Sequence, residues 1–154
     1  GMKLVNTTSV PDTVLKQVIK YCLPKGLCLN DVNEIDFGNT VRGFHGRAWY
    51  SSRRVHVGVP RYTKYRFKKY SGGFRGYLPI NIYSWEEHLV ELVAHELRHI
   101  WQYKNERRLP REVKRIRKLN LGTRAKLSEV DASLYAKRVV RMYRKDSTFK
   151  VNRK

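Results

Sequence analysis

The chain has 154 residues, of which 41% are hydrophobic and 12% aromatic, and it carries a formal net charge of +20. These values suffice for one compact domain with a buried core, which we place at residues 2–154. No apolar run approaches the length of about 18 residues that indicates a membrane span, and no signal-peptide core is found, so we expect no membrane partner and a cytoplasmic location. Cys22 and Cys28 are too few for a disulfide framework or a four-cysteine zinc ribbon.

The first third of the chain is predicted to form a helix followed by short strands. The helix is expected from Ser9–Pro11 to about Tyr21, where its apolar residues recur with helical spacing. Strands are predicted at residues 32–37, 46–50 and 54–59. The last two are expected to be joined by a turn, which gives a hairpin.

The predicted strand 54–59 alternates buried and outward positions. Val55, Val57 and Val59 occupy one face, and His56 lies on the other. If this strand is the edge of the sheet beside the functional site, its unpaired backbone groups would bind an extended substrate by strand addition. His56 could then face the cleft, although a solvated histidine is the more usual case in such a strand.

A basic, aromatic insertion is predicted at about residues 60–78. Its cations and rings interleave in the segment RYTKYRFKKYSGGFRGY, and single-stranded nucleic acid is bound by such mixtures through phosphate contacts and base stacking. Arg66, Lys68 and Lys69 are therefore candidate nucleic-acid contacts. Alternatively, the rings pack the insertion onto the domain while the cations are solvated, and the charge attracts an acidic protein. Further basic stretches follow at residues 107–118 and in a tail at about 144–154.

The sequence HELRH at residues 95–99 is an HExxH motif inside a strongly patterned helix. Ser84 and Glu87 form a predicted capping box at its start. On a helix, His95 and His99 lie one turn apart on one face, where both imidazoles can reach a Zn²⁺ ion about 2.0–2.1 Å away. Glu96 then lies beside the metal, where it can act as a general base toward water.

A catalytic zinc site needs a third protein ligand, and no histidine follows His99 in the chain. Glu106 and Glu112 lie among arginines and are predicted to form ion pairs. Glu129 begins a second helical pattern, in which alanines at i+3 and i+7 would allow a close approach to the first helix. Asp131 lies on a different face of that helix, so both acids cannot be ligands. We favour Glu129.

These residues resemble a known family. HELRH followed by E-x-x-A-x-x-Y-A is similar to the small gluzincin-type metallopeptidases, the minigluzincins and the ImmA/IrrE-like peptidases. The resemblance implies that a glutamate on a following helix completes the zinc site. It also implies that the strand before the zinc helix forms a rim along which an extended peptide docks. SprT-like peptidases are a more distant relative, but they usually use a third histidine that this chain lacks.

We therefore predict an α+β, zincin-like metallopeptidase domain, with a short, mostly antiparallel sheet packed on the zinc helix and a following glutamate helix. The expected activity is zinc-dependent hydrolysis of peptide bonds in a protein or peptide substrate, with Glu96 as the base. Tyr135 and His56 are candidates for stabilising the oxyanion. The alternative is a basic nucleic-acid-binding protein with a structural or vestigial metal site, or a protease recruited to nucleic acid. Resemblance to minigluzincin proenzymes also allows the segment after Tyr143 to occupy the cleft.

Overall fold

The computed structural model describes residues 1–41, 43–61, 68–70, 80–120 and 126–152, with the backbone alone for 68–70 and 120. In these residues the elements are, in chain order, β1 (Lys3–Asn6), α1 (Asp12–Cys22), β2 (Glu34–Thr40), β3 (His45–Trp49), β4 (Arg54–Pro60), β5 (Lys68–Tyr70), β6 (Ile80–Ile82), α2 (Trp85–Lys104), α3 (Arg111–Asn120) and α4 (Leu127–Lys145). The predicted α+β class is confirmed. Most of the predicted insertion, Arg66 included, lies outside the described residues.

Four strands form one mixed sheet in the order β1-β2-β4-β3. β2 pairs in parallel with both β1 and β4, whereas β3 and β4 pair antiparallel as a hairpin. The prediction of a mostly antiparallel sheet is therefore wrong. Parallel neighbours need a crossover connection, and α1 provides one between β1 and β2. The remaining strands, β5 and β6, form a separate antiparallel pair.

The sheet has one buried face and one more open face. Val55, Val57 and Val59 of β4 are buried in the core that the sheet shares with α1 and α2. His56 lies on the opposite face, where its Nδ1 is 2.9 Å from Asp36 Oδ2. β4 lies between β2 and β3, so it is not an edge strand, and the condition for strand addition along it is not met. The edges of this sheet are β1 and β3.

The predicted start of α2 is confirmed at Ser84. Its hydroxyl oxygen accepts the backbone N–H of Glu87 at 3.1 Å. The carboxylate of Glu87 accepts the N–H of Tyr83 at 3.2 Å, one residue before the partner that a standard capping box would use. The cap fixes the start of α2 at Trp85, and the helix continues to Lys104. The HExxH motif at residues 95–99 therefore lies well inside a regular helix.

The C-terminal residues after α4 fold back onto α1. The ring of Phe149 stacks on that of Tyr21 at 4.3 Å, and the backbone N–H of Val151 donates to the hydroxyl of Tyr143 at 3.1 Å. Tyr143 is fourteen residues beyond Glu129 on the same helix, a separation of about 21 Å. The expectation that residues after Tyr143 occupy the cleft is therefore wrong for residues 146–152. Within the described part of the chain, no helix combines the length and apolar character needed to cross a lipid bilayer.

Candidate metal centre

Two histidines of α2 and one glutamate of α4 meet at a single point. The Nε2 atoms of His95 and His99 are 3.2 Å apart. Glu129 places Oε2 at 3.1 Å from His95 Nε2 and Oε1 at 3.0 Å from His99 Nε2. One ligand atom from each residue lies within 4.8 Å of the others, so a single metal ion could contact all three side chains.

Small side chains bring α4 close enough to α2 for this arrangement. Ala132 and Ala136, three and seven residues after Glu129, are both buried, as the sequence predicted. Side chains of this size let two helices approach closely, because little volume separates their backbones. The carboxylate of Glu129 can therefore reach across to the histidines from the first turn of α4.

The three groups attract positive charge to the point where they meet. Burial alone would lower the pKa of His95, but the hydrogen bond to Glu129 and the charges of the neighbouring carboxylates raise it to about 9. Burial opposes ionisation of Glu129, but hydrogen bonds with His95 and His99 and their charges hold its pKa well below the usual range. Both shifts have the same cause, because the carboxylate of Glu129 favours a positive charge on the imidazoles that face it.

The chemistry of these donors fits zinc. Two imidazole nitrogens and one carboxylate make up a known ligand set of catalytic Zn²⁺, which leaves a fourth position for water or substrate. The same donors also accept other divalent transition metals, because imidazole binds several of them well. The three side chains could therefore hold a divalent metal ion, and their donor set is one that zinc and other divalent transition metals accept.

Glu96 lies beside the cluster and against the edge strand. Its side chain is only 4% exposed. A Cβ atom at Gly46 of β3 would lie 2.9 Å from Glu96 Cγ and 3.0 Å from its Oε1, so a larger residue at Gly46 would require the side chain of Glu96 to shift. Burial raises the pKa of Glu96, with the charges of His95 and His99 opposing the rise. A buried carboxyl group with a raised pKa is suited to proton transfer near neutral pH.

Gln102 and Tyr50 contact the outer nitrogen of His99. Gln102 Oε1 lies 3.0 Å from His99 Nδ1, and the hydroxyl of Tyr50 lies 3.4 Å from the same atom. When Nδ1 donates its proton to Gln102, Nε2 keeps its lone pair for a metal. Sequence reasoning missed both residues. The position of Gln102, three residues after His99 on a helix, was a usable signal, whereas Tyr50 comes from a distant hairpin.

We expect replacement of Gln102 by methionine to weaken metal binding by about 10- to 100-fold, the usual effect of losing such an outer partner. Methionine has a similar length but cannot accept the His99 proton or fix the ring. Competition with a fluorescent zinc chelator measures the affinity, and circular dichroism confirms that the variant is folded. Gln17→Met, on the exposed side of α1, is the matched control. Equal affinities for the two variants would contradict the role of Gln102.

Asp131 has a different partner from Glu129. Its carboxylate accepts two hydrogen bonds from Arg98, at 2.8 and 3.1 Å, and a third from Gln102 Nε2 at 2.8 Å. The facing argument that favoured Glu129 over Asp131 is consistent with this placement. Asp131 instead stabilises the outer side of the cluster, because it orients Gln102.

Other candidate residues lie away from the metal cluster. The hydroxyl of Tyr135 donates to the backbone carbonyl of Cys22 at 2.7 Å, so it is not directed toward the cluster. His56 lies on the open face of the sheet and pairs with Asp36. Neither position supports stabilisation of an oxyanion. The side chains of Lys68 and Lys69, like Arg66, are outside the described residues.

Comparison with known proteins found no matching family model, no similar curated protein and no similar solved structure. The class of the site therefore depends on its own geometry.

Proposed function

We propose that the protein is a zinc-dependent metallopeptidase, a zincin-like enzyme of the gluzincin type. The observation that carries the proposal is the convergence of His95, His99 and Glu129 from two helices, with Glu96 buried next to them. If the two histidines bound no metal, a carboxylate buried beside them would bring a cost without a benefit, because burial of a charged group is unfavourable.

Each residue has a distinct role in this proposal. His95, His99 and Glu129 hold the metal, which, when bound, supplies Lewis acidity toward a carbonyl and lowers the pKa of water to about 7. Glu96 accepts a proton from the attacking water and passes it to the amine that leaves when the peptide bond breaks. Gln102 keeps the ring of His99 in its metal-binding orientation.

We place the substrate peptide along β3. The resemblance implied that the strand before the zinc helix forms the rim, but that strand, β6, pairs with β5 outside the main sheet. β3 is the edge strand that touches Glu96, at Gly46. An extended peptide that paired with β3 would therefore be brought next to the proposed base and metal by main-chain hydrogen bonds.

Metal content tests the proposal directly. We expect wild-type protein, purified without added metal and then reloaded, to bind about one equivalent of zinc. Glu129→Ala should lose that zinc, because two histidines alone leave the site incomplete. Glu112→Ala, which removes a glutamate paired with Arg138 elsewhere on α4, should keep it. Elemental mass spectrometry gives the stoichiometry, and wild-type protein that cannot be loaded would overturn the proposal.

A further inference from the structure

Two adjoining cavities open beside the metal cluster. Each has a volume of about 290 Å³, and they share Arg107, Leu109 and Leu127. The first cavity is also lined by Tyr50, Gln102 and Ser128, which lie next to His99 and Glu129. The second continues toward α3. Both cavities therefore combine apolar side chains with the charge of Arg107, and Arg111 and Lys114 add further positive charge in the second.

The positive charge of the second cavity comes from three cationic side chains, and the glutamates near them form ion pairs with other arginines. Arg107, Arg111 and Lys114 line the second cavity, and none of them forms an ion pair within the described residues. Nearby, Glu106 pairs with Arg108 at 3.3 Å, and Glu112 pairs with Arg138 at 2.8 Å. Arg107 lies over the ring of Tyr50, with its guanidinium carbon 5.6 Å from the ring centre. These cations are therefore available to an anionic ligand.

The backbone at Arg107 is strained. Glu106 and Arg107 have φ angles of 55° and 60°, in the left-handed region that glycine adopts without cost. For other residues this region costs roughly 1–2 kcal/mol each. The turn that ends α2, in which the N–H of Arg107 donates to the carbonyl of Gln102 at 2.7 Å, places Arg107 at the wall of both cavities. Glycine at this position would relieve the strain. What arginine adds here is its charge, and strained positions of this kind concentrate at functional sites.

We propose that these cavities bind a carboxylate-bearing residue of the peptide substrate, with Arg107 as the principal contact and Arg111 and Lys114 beside it. This inference rests on the proposed function, since it names the substrate class of the same site. Arginine pairs with carboxylates through two parallel hydrogen bonds, and Leu109, Leu127 and Val113 suit the aliphatic part of the same segment. The carboxylate belongs either to an Asp or Glu side chain or to the C-terminus of the substrate.

The test measures binding and hydrolysis with defined peptides. Three pools of rhodamine-labelled octapeptides of alanine and leucine are compared. The first carries one glutamate at each position in turn and an amidated C-terminus, the second has glutamine in place of glutamate, and the third has glutamine and a free C-terminal carboxylate. Binding is measured by fluorescence anisotropy with zinc-loaded Glu96→Gln protein, so that hydrolysis does not interfere. Hydrolysis of each pool by wild-type protein is measured separately.

We expect one of the carboxylate pools to bind about ten-fold more tightly than the neutral pool, the difference expected of a charge-assisted pair. The pool that gains identifies the source of the carboxylate. In the Glu96→Gln background, Arg107→Gln should remove most of this preference, whereas Arg108→Gln, the same charge change one residue away, should leave it. Arg107→Gly should remove the preference and raise thermal stability, which a merely structural arginine would not do.

Two results would overturn the inference: no preference for either carboxylate pool, or an equal loss in the Arg107→Gln and Arg108→Gln variants. The latter would indicate general attraction by a protein of charge +20. A preference that depends on Arg107 in a protein that hydrolyses none of the pools would support the carboxylate site and contradict the proposed peptidase activity.

Discussion

Replacement of Glu96 by glutamine is expected to reduce peptide hydrolysis by about 10²- to 10⁴-fold, while the protein continues to bind zinc. Glutamine has the shape of glutamate but cannot accept the proton of the attacking water. The carboxylate of Glu96 is separate from the three side chains that would hold the metal. Because Glu96 packs against Gly46 with only 4% exposure, a residue of equal size preserves the local packing.

The measurement combines hydrolysis of the amidated peptide pools with zinc content for each variant. Glu86→Gln is the matched control, since it makes the same change on the first turn of the same helix, about 15 Å from Glu96. It should leave both quantities unchanged. Activity retained by zinc-loaded Glu96→Gln protein would exclude Glu96 as the base and, with it, the proposed mechanism.

Asp131→Ala is expected to lower the free energy of unfolding by about 3–5 kcal/mol, the usual cost of removing one partner from a buried ion pair. The side chains of Arg98 and Asp131 are 13% and 3% exposed, so alanine would leave the guanidinium of Arg98 buried without its counter-charge. Gln102 would also lose an acceptor for its amide group. Urea denaturation of the metal-free protein measures the change.

Glu112→Ala provides the comparison for Asp131→Ala. Its pair with Arg138 also joins two helices, but the side chains are 36% and 57% exposed, and such pairs contribute about 0–1 kcal/mol. Equal losses for the two variants would show that the burial of the Arg98 pair has no special effect. Because Asp131→Ala is expected to destabilise the whole protein, it is a poor control for removal of a metal ligand, and Glu112→Ala serves that purpose better.

Much of the local structure could be predicted from periodicity and caps. The helix α1, the hairpin of β3 and β4, and the start of α2 at Ser84 follow from patterns within a few residues. Sheet order could not be predicted in this way. β1 is only four residues long, and its parallel pairing with β2 brings together segments about thirty residues apart. That pairing is decided by packing against α1 and by the crossover connection, which a local pattern does not contain.

The candidate site likewise contains some residues that a local pattern predicts and others that only the packing of distant segments brings together. His95, Glu96 and His99 form one motif, and Glu129 could be favoured over Asp131 because helical geometry puts the two acids on different faces. Tyr50, Arg107 and the contact between Gly46 and Glu96 depend on how the hairpin and the end of α2 meet in space. Tyr135 and His56 were candidates by residue type alone, which does not indicate where a side chain points, and in the structure they contact the carbonyl of Cys22 and the carboxylate of Asp36.

In the proposed mechanism, the glycine contact between β3 and Glu96 would also limit where a bound peptide is cut. A peptide strand paired with β3 would lie about 4.7–4.9 Å from it, and its hydrogen-bonding pattern repeats every two residues, or about 6.8 Å. If the peptide moved along β3 by one such repeat, its reacting carbonyl would move away from Glu96 by more than this side chain, which packs against Gly46, could follow. Cleavage would therefore occur at one fixed position along β3. Every fragment of a longer peptide would end at the residue that was paired at this position.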